Sequence, residues 1–283
     1  MNDINKFLIL LPLILLFSGC TGNSPSNQAS QDKTQVETST VASTTPFSYE
    51  DYDTVLKTYV NNIGLVDYSS LQANRQLLAQ FNAAVGALTP ETYQSWSENE
   101  QIAFLINAYN SFTLQSIIDQ NPLKKSIRDI PGVWEGRKFQ LAGQSKTLDD
   151  IEHKTLRVDF NEPRIHVALV CAAISCPPLR NEAYTPENLD AQLDDQVRRF
   201  IASSQGFRLE RQKNRVYLSS IFKWYGQDWQ KSYGVDGKFA GNAKERAVLN
   251  FLSQYLDGQD KLYLEQGGYQ ISYLDYDWSL NKQ

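Results

Sequence analysis

The stretch RIHVALVCAAISCPPLRN, residues 164–181, decides how the rest of the chain is read. Its first half, IHVALV (165–170), is a near-continuous apolar run, the pattern of a strand covered on both faces. Working outward, the upstream apolar residues recur at helical spacing. Tyr49, Tyr52, Val55, Leu56, Tyr59 and Val60 fall at helical spacing in 47–60, and Leu71, Leu77, Leu78, Phe81 and Val85 in 71–88. Thr89-Pro90-Glu91 spells a helix start. Ser97-Glu98-Asn99-Glu100 spells a capping box that opens a helix to about Asp119, stopped by Asn121-Pro122. RKFQL and QSKTL flank Ala142-Gly143 as a hairpin, and DDIEHKTLR (149–157) follows as a short helix. Downstream, Thr185-Pro186-Glu187 caps a helix, and 207–219 turns back on itself at Lys213-Asn214. IFKWYGQDW (221–229) is an aromatic helix or turn, 243–256 an amphipathic helix, and 261–276 one or two last strands. Helices first and strands later give an α+β class: an N-terminal helical part, then a mixed β-sheet with packed helices, in a single compact domain.

The N-terminus carries a different signal. FLILLPLILLF (7–17) is shorter than the roughly 20 residues that span a bilayer, and it has the length of a signal-peptide core. FSGC (17–20) resembles a bacterial lipobox, so residues 1–19 are expected to be a lipoprotein signal and Cys20 the lipidated residue. Thr21 after the cysteine points to the outer membrane. Residues 20–46 are dense in Ser, Thr, Asn and Gln, too polar to form a core, and read as a tether to a globular domain at 47–283. The expected location is the bacterial cell envelope, on the outer membrane facing the periplasm. The formal net charge of −5 leaves no broad basic field, so nucleic acid is not an expected partner.

The rare chemistry of the chain clusters around the opening stretch. His153 and His166 are the only histidines, and Cys171 and Cys176 are two of three cysteines. A structural disulfide is one reading, since an oxidising envelope favours pairing and a loop this small contributes about 2 kcal/mol. A nucleophilic thiolate is another, and it needs a basic partner. If 165–170 is a strand, His166 and Cys171 point to opposite faces, because their offset is odd. His153 is then the expected base, oriented by Glu152 or Asp159. A zinc site from His153, His166, Cys171 and Cys176 has suitable ligand types but no common spacing, so no metal or other cofactor is expected. Arg157 or Arg164 suits a substrate carboxylate. Asn107 and Asn110, inside an apolar helix, are either a structural network or a pocket floor. Trp224 and Tyr225 are either core or a platform for a peptide-like or cell-wall ligand.

Four motifs in order carry a resemblance: AFLINAYNSFTLQSII (103–118), TLDDIEHKTLR (147–157), RIHVALVCAAISCPPLR (164–180) and IFKWYGQDW (221–229). Together they resemble the domain-of-unknown-function 547 family over about residues 98–229, with YLDYDWSLN (273–281) as an added match. The resemblance implies a bacterial lipoprotein. Eukaryotic relatives that carry glutaredoxin-like domains hint at thiol chemistry, but no reaction transfers residue by residue. Two classes stay open: a cysteine-dependent envelope enzyme, a hydrolase or acyl transferase on peptide-like or thiol substrates, and a non-catalytic binding or scaffold module stapled by Cys171 and Cys176.

Overall fold

The computed structural model describes residues 46–283, so the signal segment, Cys20 and nearly all of the tether lie outside the described residues. From Phe47 to Gln283 the chain folds as one unit. Helices α1 (Glu50–Tyr59), α2 (Tyr68–Ala73), α3 (Gln76–Ala87) and α4 (Pro90–Ser95) lead into the long helix α5 (Glu98–Ile118). The capping box at Ser97 forms as spelled: its hydroxyl accepts from the Glu100 N–H, and the Glu100 carboxylate accepts from the Ser97 N–H at 2.8 Å. Sixteen of the 21 residues of α5 are buried, so this helix has no solvent face and forms the spine of the first core. Its buried Ser111, Thr113 and Ser116 hydroxyls return to carbonyls of their own helix.

Strands β1 (Phe139–Leu141) and β2 (Gln144–Lys146) make the expected hairpin. Ala142 (φ 46°) and Gly143 (φ 69°) both take the left-handed conformation that a tight two-residue turn requires. Next come α6 (Leu148–Ile151), one π-helical turn at Glu152–Leu156, and α7 (Arg157–Asp159). After α8 (Ile165–Ala168) and a looped segment, α9 (Leu189–Ala202) leads to strands β3 (Phe207–Glu210) and β4 (Arg215–Leu218). Helices α10 (Ser220–Tyr225), α11 (Gln230–Tyr233), α12 (Ala243–Ser253) and α13 (Gly258–Gln266) precede β5 (Gln270–Tyr273). β3 pairs antiparallel with β4, and β4 pairs parallel with β5, so the small sheet is mixed and the α+β class holds. The mixed sheet and α12 enclose a second core around Trp229, Phe251 and Val248. No helix among the described residues is long and apolar enough to cross a membrane.

The deciding stretch folds otherwise than expected. IHVALV is not a strand: Ile165–Ala168 is one helical turn, and the chain is extended only from Leu169. A short apolar run cannot distinguish a buried strand from a buried helical turn. The turn is preferred because its residues serve two cores at once. Ile165 and Ala168 pack into the first core, and Val167 between them packs into the second. In place of a neighbouring strand, the Asn110 side chain satisfies the extended backbone. Its Nδ2 donates to the Ala168 carbonyl at 2.9 Å and its Oδ1 accepts from the Val170 N–H at 2.8 Å. Other differences are local. Residues 71–88 break at Asn74-Arg75 into α2 and α3, α9 starts at Leu189 behind Asn188, and 261–276 holds a helical segment and one strand.

Candidate functional site

A cavity of about 240 Å³ lies where the two cores meet. Glu152, His153, His166, Cys171, Cys176 and Tyr225, each singled out in the sequence, all line it. With no strand at 165–170, the parity that set His166 and Cys171 on opposite faces does not apply.

The π-helical turn presents Glu152 and His153 together; such single-turn widenings recur at functional sites. Glu152 is only 9% exposed and accepts a hydrogen bond from the Tyr109 hydroxyl at 3.0 Å. Burial, reinforced by the Glu152 charge, pushes the Tyr109 and Tyr225 hydroxyls well above the usual tyrosine range, so both stay protonated donors. His153 Nδ1 lies 3.0 Å from Arg157 Nη1. A guanidinium has only protons to give, so Nδ1 is the acceptor and the ring proton sits on Nε2, 3.7 Å from Asp149 Oδ1. The lone pair that a general base needs is therefore engaged by Arg157.

Arg157 is itself gripped by Asp228, with Nε to Oδ2 at 2.6 Å and Nη2 to Oδ1 at 3.1 Å. Asp228 also meets His166 Nε2 at 2.8 Å. Burial drives the His166 pKa below the ordinary imidazole value, against the opposing pull of Asp228, so the ring is neutral and Nε2 donates to the carboxylate. Burial alone would raise Asp228, but the hydrogen bonds from His166 and Arg157 hold it well below the usual carboxylate range. The second nitrogen of His166, Nδ1, makes no hydrogen bond within the protein, and the residue borders the cavity. Tyr225 stacks on the imidazole at 4.2 Å and fixes its plane.

Residues 93–201 match the family described as a protein of unknown function, DUF547. No curated protein and no solved structure matches the chain. The DUF547 segment supplies Tyr109, Glu152, both histidines and both cysteines, whereas Trp224, Tyr225, Asp228, Tyr276 and Trp278 come from beyond it. The cavity is thus completed by parts of the chain that the matched segment does not include.

Cys171 and Cys176 are joined by a disulfide, with Cα atoms 6.2 Å apart. The Tyr276 hydroxyl stands 3.2 Å from each sulfur, and the Cys171 N–H points at Cys176 Sγ at 2.9 Å. The C-terminal segment pins this loop: Ile174 N–H donates to the Ser279 carbonyl, and Asn281 N–H to the Ala172 carbonyl. Neither histidine hydrogen-bonds to a sulfur, so the expected His153 partnership is not formed. With the sulfurs bonded to each other, His153, His166, Cys171 and Cys176 do not form the four-ligand set weighed above, and among the described residues no group of three or more His, Cys, Asp or Glu converges.

Four proposed substrate contacts are placed elsewhere. Arg157 is held by Asp228, and Arg164 by Glu162, Asp190 and Asp194, so neither guanidinium is open to a substrate carboxylate. Asn110 serves the 168–170 backbone, and Asn107 likewise pairs with both backbone groups of Tyr184, at 2.7 and 3.0 Å. Both asparagines are structural cross-links, not a pocket floor. Trp224 does line the cavity, 4.8 Å from Tyr276, with Trp134 and Trp278 completing an aromatic wall. The sequence groups Tyr109 with Asn107 and Asn110, as network or pocket floor, and Asp228 with the aromatic segment, as core or platform; Tyr276 has no role there. Asp228 had one signal, a carboxylate three residues after Tyr225 in an aromatic run. Tyr276 lies in the nine-residue match at 273–281, and only its distant contact with the sulfurs reveals it.

Proposed function

We propose that the cavity is the active site of a cysteine-dependent enzyme, a hydrolase or acyl transferase on peptide-like or thiol substrates, held at the cell envelope through Cys20. The Cys171–Cys176 disulfide is its oxidised resting form, opened by an external thiol reductant. The observation that carries this reading is that both sulfurs face the same cavity as Glu152 and His166. Once reduced, Cys176 keeps two donors, the Cys171 N–H and the Tyr276 hydroxyl. Hydrogen bonds to the charged form favour thiolate, so activation does not need a histidine in contact with sulfur. His166, whose Nδ1 is free, is the base available to an attacking water in the second half-reaction.

The test is chemical. Mild reduction of the folded protein is expected to open the disulfide. One cysteine is then expected to alkylate at pH 7 roughly tenfold faster than an unperturbed thiol, because its thiolate fraction is raised. Intact mass before and after alkylation reads both events, and peptide mapping is expected to place the label on Cys176. A disulfide that survives reductant until the protein unfolds, or thiols of ordinary reactivity, would favour the second reading: a binding or scaffold module with a structural staple. The backbone pinning of the 172–174 loop by the C-terminal segment is the observation on that side.

A further inference from the structure

The charges around the cavity are one-sided. Glu135, Asp149 and Glu152 line it, and no lysine or arginine does. Two guanidiniums outside the lining pack on its rings, Arg157 over Tyr225 and Arg128 over Trp278; Arg157 is neutralised by Asp228, and His166 is kept neutral by burial. Glu152 is the most telling group. Its side chain is nine-tenths buried and lines the cavity, where its hydrogen-bond partners are two neutral hydroxyls, Tyr109 and Tyr225, and no lysine or arginine pairs with it. A buried carboxylate ordinarily gathers several donors or a cation. The wall opposite is aromatic: Trp134, Trp224 and Tyr276 present rings whose faces carry negative potential. A cavity lined by carboxylates and aromatic rings, with no lysine or arginine among its lining residues, favours a positive ligand. The volume of about 240 Å³ is below the roughly 300–1,000 Å³ of pockets that enclose a whole drug-sized ligand, so it takes one end of a longer molecule.

We propose that this cavity recognises an ammonium group, as the lysine-like amine of a peptide chain, held between the Glu152 carboxylate and the aromatic wall. This rests on the cavity being the substrate site and names the substrate class within that reading: a peptide with a basic side chain next to the bond that reacts. The ammonium donates to Glu152 Oε1, and its methylene stem packs against the tryptophans.

The probe is blocked lysine, N-acetyl-lysine methylamide, compared with its norleucine counterpart, which has a similar apolar stem and no charge. Tryptophan fluorescence of the full chain reads binding through Trp134 and Trp224. The lysine probe is expected to bind at least about tenfold more tightly than norleucine, a ratio within the range of a desolvated cation beside carboxylate and aromatic faces. Glu152→Gln keeps the shape and is expected to reduce that ratio several-fold. Equal binding of norleucine, no binding of either, preferential binding of N-acetylglucosamine to the aromatic wall, or an unchanged ratio in Glu152→Gln would each overturn the proposal. The wild-type comparison decides the matter if the variant fails to fold. A clear lysine preference with an inert disulfide would keep this inference and reject the thiol mechanism, so the two fail separately.

Discussion

Replacing Asp228 by alanine is expected to destabilise the domain by about 3–5 kcal/mol, because it strips the shared partner from two enclosed groups. Arg157 loses a two-pronged contact, and His166 loses the acceptor of its Nε2 proton inside the protein. Asp228 has 21% of its side chain exposed and Arg157 19%, so water relieves the orphaned cation only in part. For a domain of this size the loss corresponds to a fall in melting temperature of about 10 °C, read by calorimetry. Asp228→Asn, which keeps one acceptor, is expected to lose less. A change under about 1 kcal/mol in the alanine variant would show that the Arg157–Asp228–His166 chain is not structurally important.

The same chain predicts a pH dependence. The folded pKa of His166 is lowered, so on acidification the unfolded chain takes up a proton, near about pH 6.5, before the folded one does. Stability is therefore expected to fall as the pH drops from about 7 to about 5, and His166→Gln is expected to flatten that slope. Asp228, whose pKa is lowered, acts in a second window. Its contribution is present above the unfolded carboxylate value of about 3.9 and disappears as the pH falls further. A wild-type stability that stays level between pH 7 and 5, or a slope unchanged by His166→Gln, would contradict a neutral buried His166.

Asn110→Ala is expected to cost about 2–5 kcal/mol, since it leaves the buried Ala168 carbonyl and Val170 N–H without partners and each such orphan costs about 1–3 kcal/mol. The side chain is 3% exposed with its residue, so no water easily replaces it. The effect is expected as a lower urea midpoint with an unchanged slope. It should also loosen the approach to Cys171, one residue beyond Val170, and speed reduction of the disulfide. A midpoint within error of wild type would mean the backbone there is satisfied in another way.

How far each feature was legible in the sequence follows the range of the interactions behind it. The capping box at Ser97, the cap at Thr89 and the turns at Ala142-Gly143 and Asn214 depend on neighbours within a few residues, and the structure has them all. The α+β class followed from those elements. Glu152, His153, His166, Cys171, Cys176, Trp224 and Tyr225 were named from residue type and proximity in the chain, and the folded chain gathers them around one cavity. Their pairwise relations were not legible. The parity argument failed with the strand it assumed, and His153 faces Arg157 instead of a sulfur.

What the sequence by itself determined, then, is the local grammar of caps, turns and amphipathic faces, the α+β class, and the short list of reactive residues. Tertiary structure decided the rest. IHVALV opens as a helical turn because Ile165 and Ala168 belong to one core and Val167 to the other, and an asparagine 60 residues upstream of Val170 replaces the strand that would have paired with it. Tyr276 meets the sulfurs across 100 residues of chain, and Asp228 meets His166 across 62. Contacts at such separations come from packing and desolvation of the whole chain, and no window of neighbouring residues contains them.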